Sequence, residues 1–441
     1  MAVILLILDG CADRPWDVLD GRTPLQAART PNLDRFAAGA ATGLLHPLGR
    51  GMAPGSELAH YTLFGFPRDL YPGRAVFEAL GEGLALTGYE VVFRGLFSTV
   101  RREEDGSLRV LERRTDVDDD ACRELTEAIS PFEYEGIRIE FVYNSDHQGI
   151  VIVRGGGAGT HPSPDVTDSD PYVAGRCAIR PEALRDAREP HAARDTAVAL
   201  EAWLTHVHRV LDAHPVNAAR RERGQSPANF LLVKWSARYA PLPTFTEISG
   251  LVGASVSSGV TYKGISAALG MRWYGIDYLP DWTDDLRARI ALARRAVDDD
   301  CDFVHIHTKA PDVAGHTKDP ATKRDVLEAL DAALPALWDE GLVSPDNLVI
   351  VTGDHGTPSG TALVHSGDAV PIAMAGAGTQ ADGIAAFDEL SCAAGSLGHL
   401  EGRDLMPEVL NRIARIKYMS AKLTPAGGVF WPDETTPLIV E

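Results

Sequence analysis

The sequence predicts an α/β protein: a mostly parallel sheet with helices on both faces, interrupted by a smaller inserted α+β module. Three observations carry this. Short apolar runs alternate with helical patterns at both ends of the chain, the pattern of strand–helix–strand units. Acids and imidazoles stand directly after several of those runs, where ligands sit in such sheets. Between about residues 88 and 175 the alternation gives way to consecutive, more polar strand-like segments, which read as an insertion.

In chain order, residues 2–8 form a first strand that ends at Asp9 and Gly10. A helix is expected at 31–39, and Ser56 stands in a tight turn before an apolar segment, 58–66. The insertion carries strands near 89–94, 96–100, 108–111, 137–143 and 150–154, with one helix at 118–129. The glycine-rich stretch 155–164 reads as a flexible loop. A long helix at 191–213 leads back to the core, where 229–233, 303–308 and 347–352 are strands. Helices at 284–298 and 320–338 lie between them, the second with the spacing of an amphipathic helix. The expected organisation is a core of 1–87 and 214–417, an inserted substrate or lid domain of 88–213, and a C-terminal tail of 418–441. That tail reads as surface, or as a segment packed on a partner in a homo-oligomer.

The chain of 441 residues carries 42 Lys and Arg against 62 Asp and Glu, a net charge of −20. Such acidity argues against nucleic acid or an anionic membrane as partner. Any phosphate-bearing ligand would have to be attracted locally, by metal ions and a few cations. No apolar run is long enough to span a bilayer, and the N-terminal run meets Asp9 too soon for a signal peptide. Five scattered cysteines read as reduced thiols, pointing to the cytoplasm.

The stretch 351–368, VTGDHGTPSGTALVHSGD, organises the chemistry. Asp354 and His355 follow a strand, and His365 stands ten residues on. Each separate feature has a plain structural reading: Asp9 a turn acid, Asp312 and Ser56 helix caps. Together Asp9, Ser56, Asp312, His316, Asp354, His355 and His365 supply three carboxylates, three imidazoles and one hydroxyl. That set suits two divalent ions sharing a serine nucleophile.

Over about residues 1–417 the sequence resembles the archaeal-type cofactor-independent phosphoglycerate mutases of the alkaline phosphatase superfamily. The resemblance rests on ILDG (7–10), DGRTPLQAARTPNLDRFA (20–37), PGSELAH (54–60), YPGRAVFEALGEG (71–83), DSDPY (168–172), DVAGH (312–316), TGDHGTPSG (352–360), HSGDAVP (365–371) and FDELSCAAGSLGHLEGRDLMP (387–407). It implies an alkaline-phosphatase-like core and interconversion of 2- and 3-phosphoglycerate through a phosphoserine at Ser56. It also implies one ion on Asp9, Ser56, Asp354 and His355, and a second on Asp312, His316 and His365. Histidine ligands favour Mn²⁺, with Zn²⁺ or Mg²⁺ as alternatives. Arg74, His147 and Lys263 fit the family's substrate-side pattern, while Arg74 reads equally as a buried arginine paired with an acid and His147 as a core histidine; Lys309, three residues before Asp312, is placed to reach the phosphate, and Lys234 stands where the pattern carries an arginine. The alternative is a divergent phosphatase, or a phosphoryl or phosphonyl transferase, acting on another small phosphorylated acid in a biosynthetic pathway.

The departures lie on the substrate side. The pattern has His-Arg where this chain has His147-Gln148, and Arg-Gly-Ala-Gly where it has 234–237, KWSA. After Arg113 and Arg114 this chain reads Thr115-Asp116-Val117, where the pattern brings a further arginine. Restoring arginine at 148 and 234 is expected to raise mutase activity.

Overall fold

The computed structural model describes residues 1–145, 147–155, 161–424 and 428–440. The chain divides into two compact units, Met1–Tyr71 with Leu242–Glu441, and Pro72–Pro241. In chain order the strands are β1 (Val3–Leu8), β2 (Ala41–His46), β3 (Val91–Arg102), β4 (Leu108–Glu112), β5 (Phe132–Tyr134), β6 (Ile137–Ser145), β7 (Gln148–Gly155), β8 (Phe230–Arg238), β9 (Gly253–Ser257), β10 (Arg272–Gly275), β11 (Phe303–Thr308), β12 (Leu348–Thr352), β13 (Val370–Gly376) and β14 (Gly398–Glu401).

The first unit holds an eight-stranded sheet in the order β10-β9-β11-β1-β12-β13-β2-β14. Only β13 runs against the rest, pairing antiparallel with β12 and β2. β1 reads VILLIL and is buried at every position, as a strand covered on both faces must be. Its side chains Ile4, Leu6 and Leu8 share a core with Leu286 and Ile290 of helix Trp282–Asp298 and with Leu327 and Leu330 of helix Pro320–Asp331. Burying each such side chain contributes about 1.5–3 kcal/mol. Register then positions the site: Leu8 lies opposite Thr308, and Ile7 opposite Thr352. Three parallel strands therefore end together, and the residues that follow them emerge along one edge.

The second unit is antiparallel, in the order β4-β3-β7-β6-β5, with β8 also paired to β3. Alternation along β7 sorts its two faces. Val151 and Val153 pack with Trp203 and Leu200 of helix Pro190–Asp212. Ile150 and Ile152 pack with Ala75, Val76 and Ala79 of helix Arg74–Gly81.

Four expectations need correction. The strand at 229–233 is part of β8 and belongs to the second sheet, because it pairs antiparallel with β3 from Ser98↔Phe230 to Val91↔Arg238. The second unit accordingly runs over 72–241 rather than 88–213, since helix Arg74–Gly81 closes one face of its sheet and β8 one flank of β3. The helix expected at 320–338 stops at Asp331 and resumes at Ala336–Asp339. Pro335 between them cannot donate a backbone hydrogen bond, and the chain there makes tighter turns instead, Leu334 N to Asp331 O and Ala336 N to Ala333 O, both at 3.1 Å. The C-terminal stretch is only partly a surface tail. Lys417 N donates to Val429 O and Trp431 N to Arg415 O, and Arg415 pairs with Asp433 at 2.8 Å. From Leu438 to Val440 the apolar side chains are exposed. Residues 156–160 of the glycine-rich loop expected at 155–164 lie outside the described residues.

Candidate active site

Asp9 leaves β1, Asp354 and His355 leave β12, and Lys309 leaves β11. Asp312 and His316 lie on helix Ala310–His316, four residues and one turn apart, so both face one side. Ser56 opens helix Ser56–Leu63, after β2. Its cap is Gly55, and Ser56 makes no capping bond, so the expected cap role is not what its hydroxyl does.

The side chains converge within the first unit. Ser56 Oγ lies 3.0 Å from His355 Nε2, which lies 3.2 Å from Asp9 Oδ1. Asp312 Oδ1 lies 3.2 Å from His316 Nε2 and 3.5 Å from His365 Nε2. His365 is oriented by Pro54 O, 2.8 Å from its Nδ1, and its ring stacks on His355 at 3.8 Å. Lys309 Nζ spans two acids, 3.2 Å from Asp9 Oδ2 and 2.9 Å from Asp312 Oδ2. Asp354 Oδ1 accepts from Gly10 N at 3.1 Å. The seven residues expected to form one site are thus brought together.

Four further residues belong to the set and were not anticipated from sequence. His307 Nε2 lies 2.9 Å from Asp9 Oδ2, and Tyr262 donates to the same oxygen at 3.3 Å. Thr357 donates to Asp312 at 2.7 Å. His60 Nδ1 lies 2.7 Å from Ser56 O and 3.6 Å from Asp354 Oδ2. The available signals were the alternating histidines of 303–308, FVHIHT, and a histidine one helical turn after Ser56.

Electrostatics make the cluster anion-rich. Asp9 and Asp354 are fully buried and Asp312 nearly so, and Lys309 is the ammonium between them. Burial would push the Asp9 carboxyl up, but Lys309 and the histidine contacts hold it well below the usual range. Burial and the adjacent Asp9 charge drive Asp354 well above it. Burial and Asp9 also press Asp312 upward, yet His316, His365 and Lys309 win and lower it. Burial and His307 take His60 down to about 3. Among the described residues, Asp9 Oδ1 and Asp354 Oδ2 are buried without a hydrogen-bond partner. An orphaned carboxylate oxygen in a dry site is costly unless a cation meets it. The ligand atoms of Asp312, His316 and His365 lie within 4.8 Å of one another, as do those of Asp9, Asp312 and His355. Donor chemistry and charge together fit a divalent cation.

The remaining expected residues fall in different places. Lys309 is in the cluster. Lys263, on helix Val260–Ala268 of the first unit, holds its ammonium 5.4 Å from the Trp273 ring centre. Arg74, His147 and Lys234 belong to the second unit. Arg74 pairs with Glu78 at 2.8 Å, and Lys234 with Asp170 at 3.0 Å. His147 accepts from Val117 N at 3.3 Å and lies 3.8 Å from Asp116. Gln148, the expected departure from arginine, accepts from the Arg94 guanidinium.

Beside Lys234 the backbone is unusual. Val92 pairs with Ala237 and Arg94 with Lys234, so Trp235 and Ser236 together oppose Phe93 in a β-bulge. Trp235 sits there at φ 60°, and Tyr172 near it at φ 62°. A large side chain in this left-handed region costs about 1–3 kcal/mol relative to relaxed backbone.

The fold and the site together define a divalent-metal enzyme with a serine hydroxyl among its buried acids. A family model described as Metalloenzyme superfamily matches residues 1–411. A 2,3-bisphosphoglycerate-independent phosphoglycerate mutase 2 of Methanocaldococcus jannaschii is 35% identical over 416 residues, 93% of each chain. The corresponding mutase of Methanoculleus marisnigri is 36% identical, covering 93% of this chain and 97% of its own. Among solved structures, a cofactor-independent phosphoglycerate mutase of Thermoplasma acidophilum aligns with TM-score 0.62 and 31% identity, over 93% of this chain and 99% of that one. A Pyrococcus horikoshii protein aligns with TM-score 0.77 and 28% identity, over 95% and 99%. The chain belongs to the metalloenzyme superfamily and, within it, to the cofactor-independent phosphoglycerate mutases. No helix among the described residues is long and apolar enough to cross a membrane.

Proposed function

We propose that this protein is a metal-dependent phosphomutase of the phosphoglycerate mutase type, working through a phosphoserine at Ser56. The observation that carries the reading is the Ser56 hydroxyl, 3.0 Å from His355, beside two buried carboxylate oxygens, Asp9 Oδ1 and Asp354 Oδ2, that accept no hydrogen bond among the described residues. Asp9, Ser56, Asp354 and His355 would hold one divalent ion, and Asp312, His316 and His365 a second, with Mn²⁺ preferred over Zn²⁺ or Mg²⁺. Such ions, when bound, supply Lewis acidity that lowers the serine pKa and neutralises phosphoryl oxygens.

The chain's own residues do the rest. Ser56 Oγ gives up its proton and forms the bond to phosphorus as the P–O bond to the substrate's ester oxygen breaks, and that oxygen takes up a proton to leave as a hydroxyl. His60, bonded to the Ser56 carbonyl, and His355 fix the direction in which that oxygen points. Lys309 places a positive charge beside Asp9 and Asp312, where phosphoryl oxygens arrive. The glycerate then turns and takes the phosphoryl group back on its other hydroxyl, restoring Ser56. Arg74, His147, Lys234 and Lys263 are the proposed substrate-side contacts.

A second reading is favoured by Gln148, Lys234 and the strained Trp235: a relative that performs the same first half on another small phosphorylated acid, as a phosphatase or as a phosphoryl or phosphonyl transferase. The test of the shared chemistry is mass spectrometry of enzyme trapped during turnover, combined with metal analysis. Phosphate on Ser56 and about two divalent ions per chain are expected. Full turnover after exhaustive chelation, or phosphate on another residue, would overturn it.

A further inference from the structure

Thr357 stands between the two groups of candidate ligands in the first unit. Its hydroxyl donates to Asp312 Oδ1 at 2.7 Å and lies 3.2 Å from His355 Nδ1. Asp312 belongs to both groups, with His316 and His365 in one and with Asp9 and His355 in the other. Thr357 is fully buried, so these contacts are made away from bulk solvent.

The surroundings fix where that hydroxyl stands. Lys323, itself fully buried, donates to Thr357 O at 2.8 Å, Ala12 O at 2.9 Å and Asp13 Oδ2 at 3.0 Å. These bonds use every proton that an ammonium has to give. Thr357 N donates in turn to Ala12 O at 3.1 Å. The loop after β12, which carries Asp354 and His355, is thereby tied to the loop after β1, which carries Asp9. Two glycines make the room. A Cβ at Gly10 would stand 2.5 Å from Thr357 Oγ1, and one at Gly315 would stand 2.7 Å from its Cγ2, closer than van der Waals contact allows.

The bonds decide which nitrogen of His355 carries the proton. Asp312 is paired through Oδ2 with the Lys309 ammonium at 2.9 Å, so it is a carboxylate and only accepts. The single Thr357 hydroxyl proton therefore goes to Asp312, and Thr357 Oγ1 accepts from His355 Nδ1. With its proton on Nδ1, His355 turns a lone pair on Nε2 toward Asp9 Oδ1, 3.2 Å away. That oxygen accepts no hydrogen bond among the described residues. Two buried acceptors facing each other are unfavourable unless a cation lies between them. A neutral imidazole with a free Nε2 is a form in which histidine binds metal.

We propose that Thr357 is a positioning residue for the divalent-ion site: its hydroxyl bridges His355 and Asp312, keeps His355 Nε2 free as a ligand atom and couples the two ion-binding groups. The residue acts through the ligands and touches neither ion nor substrate. This rests on divalent-ion binding by Asp9, Asp312 and His355, and not on which phosphorylated acid the protein uses.

The test is a Mn²⁺ titration of metal-free, full-length protein, read from the paramagnetic resonance of free Mn²⁺ and so independent of turnover. It compares wild type with Thr357→Ser and Thr357→Ala. These variants leave the same methyl-sized gap and differ by the hydroxyl alone. Thr357→Ser should bind within about threefold of wild type. Thr357→Ala should bind at least about tenfold more weakly, the usual loss when a bond that orients a metal-ligating histidine is removed, and the loss should fall on both ions. Unchanged circular dichroism of the metal-free variants shows that the loss is not one of folding. If Thr357→Ala does not fold, the Thr357→Ser titration decides alone, and a tenfold loss there overturns the proposal. Equal weakening in the two variants, no weakening in Thr357→Ala, or a loss confined to one ion also overturns it and makes Thr357 a packing residue. A wild type that takes up no Mn²⁺ would instead overturn the ion-site reading on which the proposal rests.

Discussion

Ser56 shows how one residue separates stability from chemistry. Among the described residues its hydroxyl makes one hydrogen bond, with His355 at 3.0 Å, and no cap. Ser56→Ala should therefore cost about 1 kcal/mol of stability, readable by denaturant titration, while phosphoryl transfer falls at least about a thousandfold. Retained turnover in that variant would mean another nucleophile. Glu389 gives a second residue-scale prediction. It accepts from Asp13 N at 3.0 Å and Thr23 Oγ1 at 2.8 Å, and burial, only partly offset by those bonds, raises its pKa from 4.5 to about 7. An acid whose folded pKa lies above its unfolded value binds its proton more tightly when folded. Its stabilising contribution is therefore present below about pH 4.5 and is lost as pH rises through about 7. Glu389→Gln should be more stable than wild type at pH 8, on the order of 2 kcal/mol after allowing for its partly exposed side chain. The difference should vanish near pH 4, as melting temperatures at the two pH values will show. At this scale the sequence was legible where a polar residue ends an apolar run, as at Asp9 and Asp354. It was not legible at His307, because a histidine inside a buried strand reads as core until its register beside Asp9 is known. Trp235 was hidden for a related reason: a left-handed backbone at a tryptophan comes from the pairing of β8 with β3, which no local pattern encodes.

At the scale of elements, the parallel strands were readable because they are buried on both faces and flanked by amphipathic helices. β8 was misplaced because its run, Phe230 to Val233, is as apolar as any core strand. Apolarity states that a strand is covered, and not which sheet covers it. Helix Pro190–Asp212 carries the largest commitment of the second unit, through Trp203, which is fully buried and donates its indole N–H to Ile129 O at 3.3 Å. Trp203→Ala should cost about 3–5 kcal/mol and leave that carbonyl without the bond. Because each unit has its own core, hydrogen exchange should show protection lost across β3, β6, β7 and β8 while β1, β11 and β12 keep theirs. Equal loss in both sheets would mean that the units unfold as one.

At the scale of the whole molecule, the buried acid–histidine cluster lies in the first unit, while Arg74, His147 and Lys234, expected on the substrate side, lie in the second. Membership of the mutase family follows from the first unit's motifs and from similarity along the whole chain. The departures from the family pattern, at Gln148 and 234–237, lie in the second unit. The expectation that arginine at 148 and 234 would restore mutase activity does not survive the contacts seen there. Gln148 supplies one acceptor for the Arg94 guanidinium, beside Glu78, so Gln148→Arg would remove it and set two guanidinium groups together in a buried place, a like-charge arrangement that destabilises. Lys234→Arg would face the Asp170 already shared with Arg113 at 2.6 Å. The double variant should therefore lose stability and gain no activity on 3-phosphoglycerate. The wild type should convert that substrate with kcat/KM below about 10⁵ M⁻¹s⁻¹, toward the slow end of the ordinary enzyme range. The molecule's net charge of −20 offers no long-range attraction for an anionic substrate to compensate. A coupled assay of 2- and 3-phosphoglycerate interconversion decides the point. A rate well above that value would show that Gln148, Lys234 and Trp235 are compatible with ordinary mutase recognition, and that the carboxylate of the substrate is held by groups other than these.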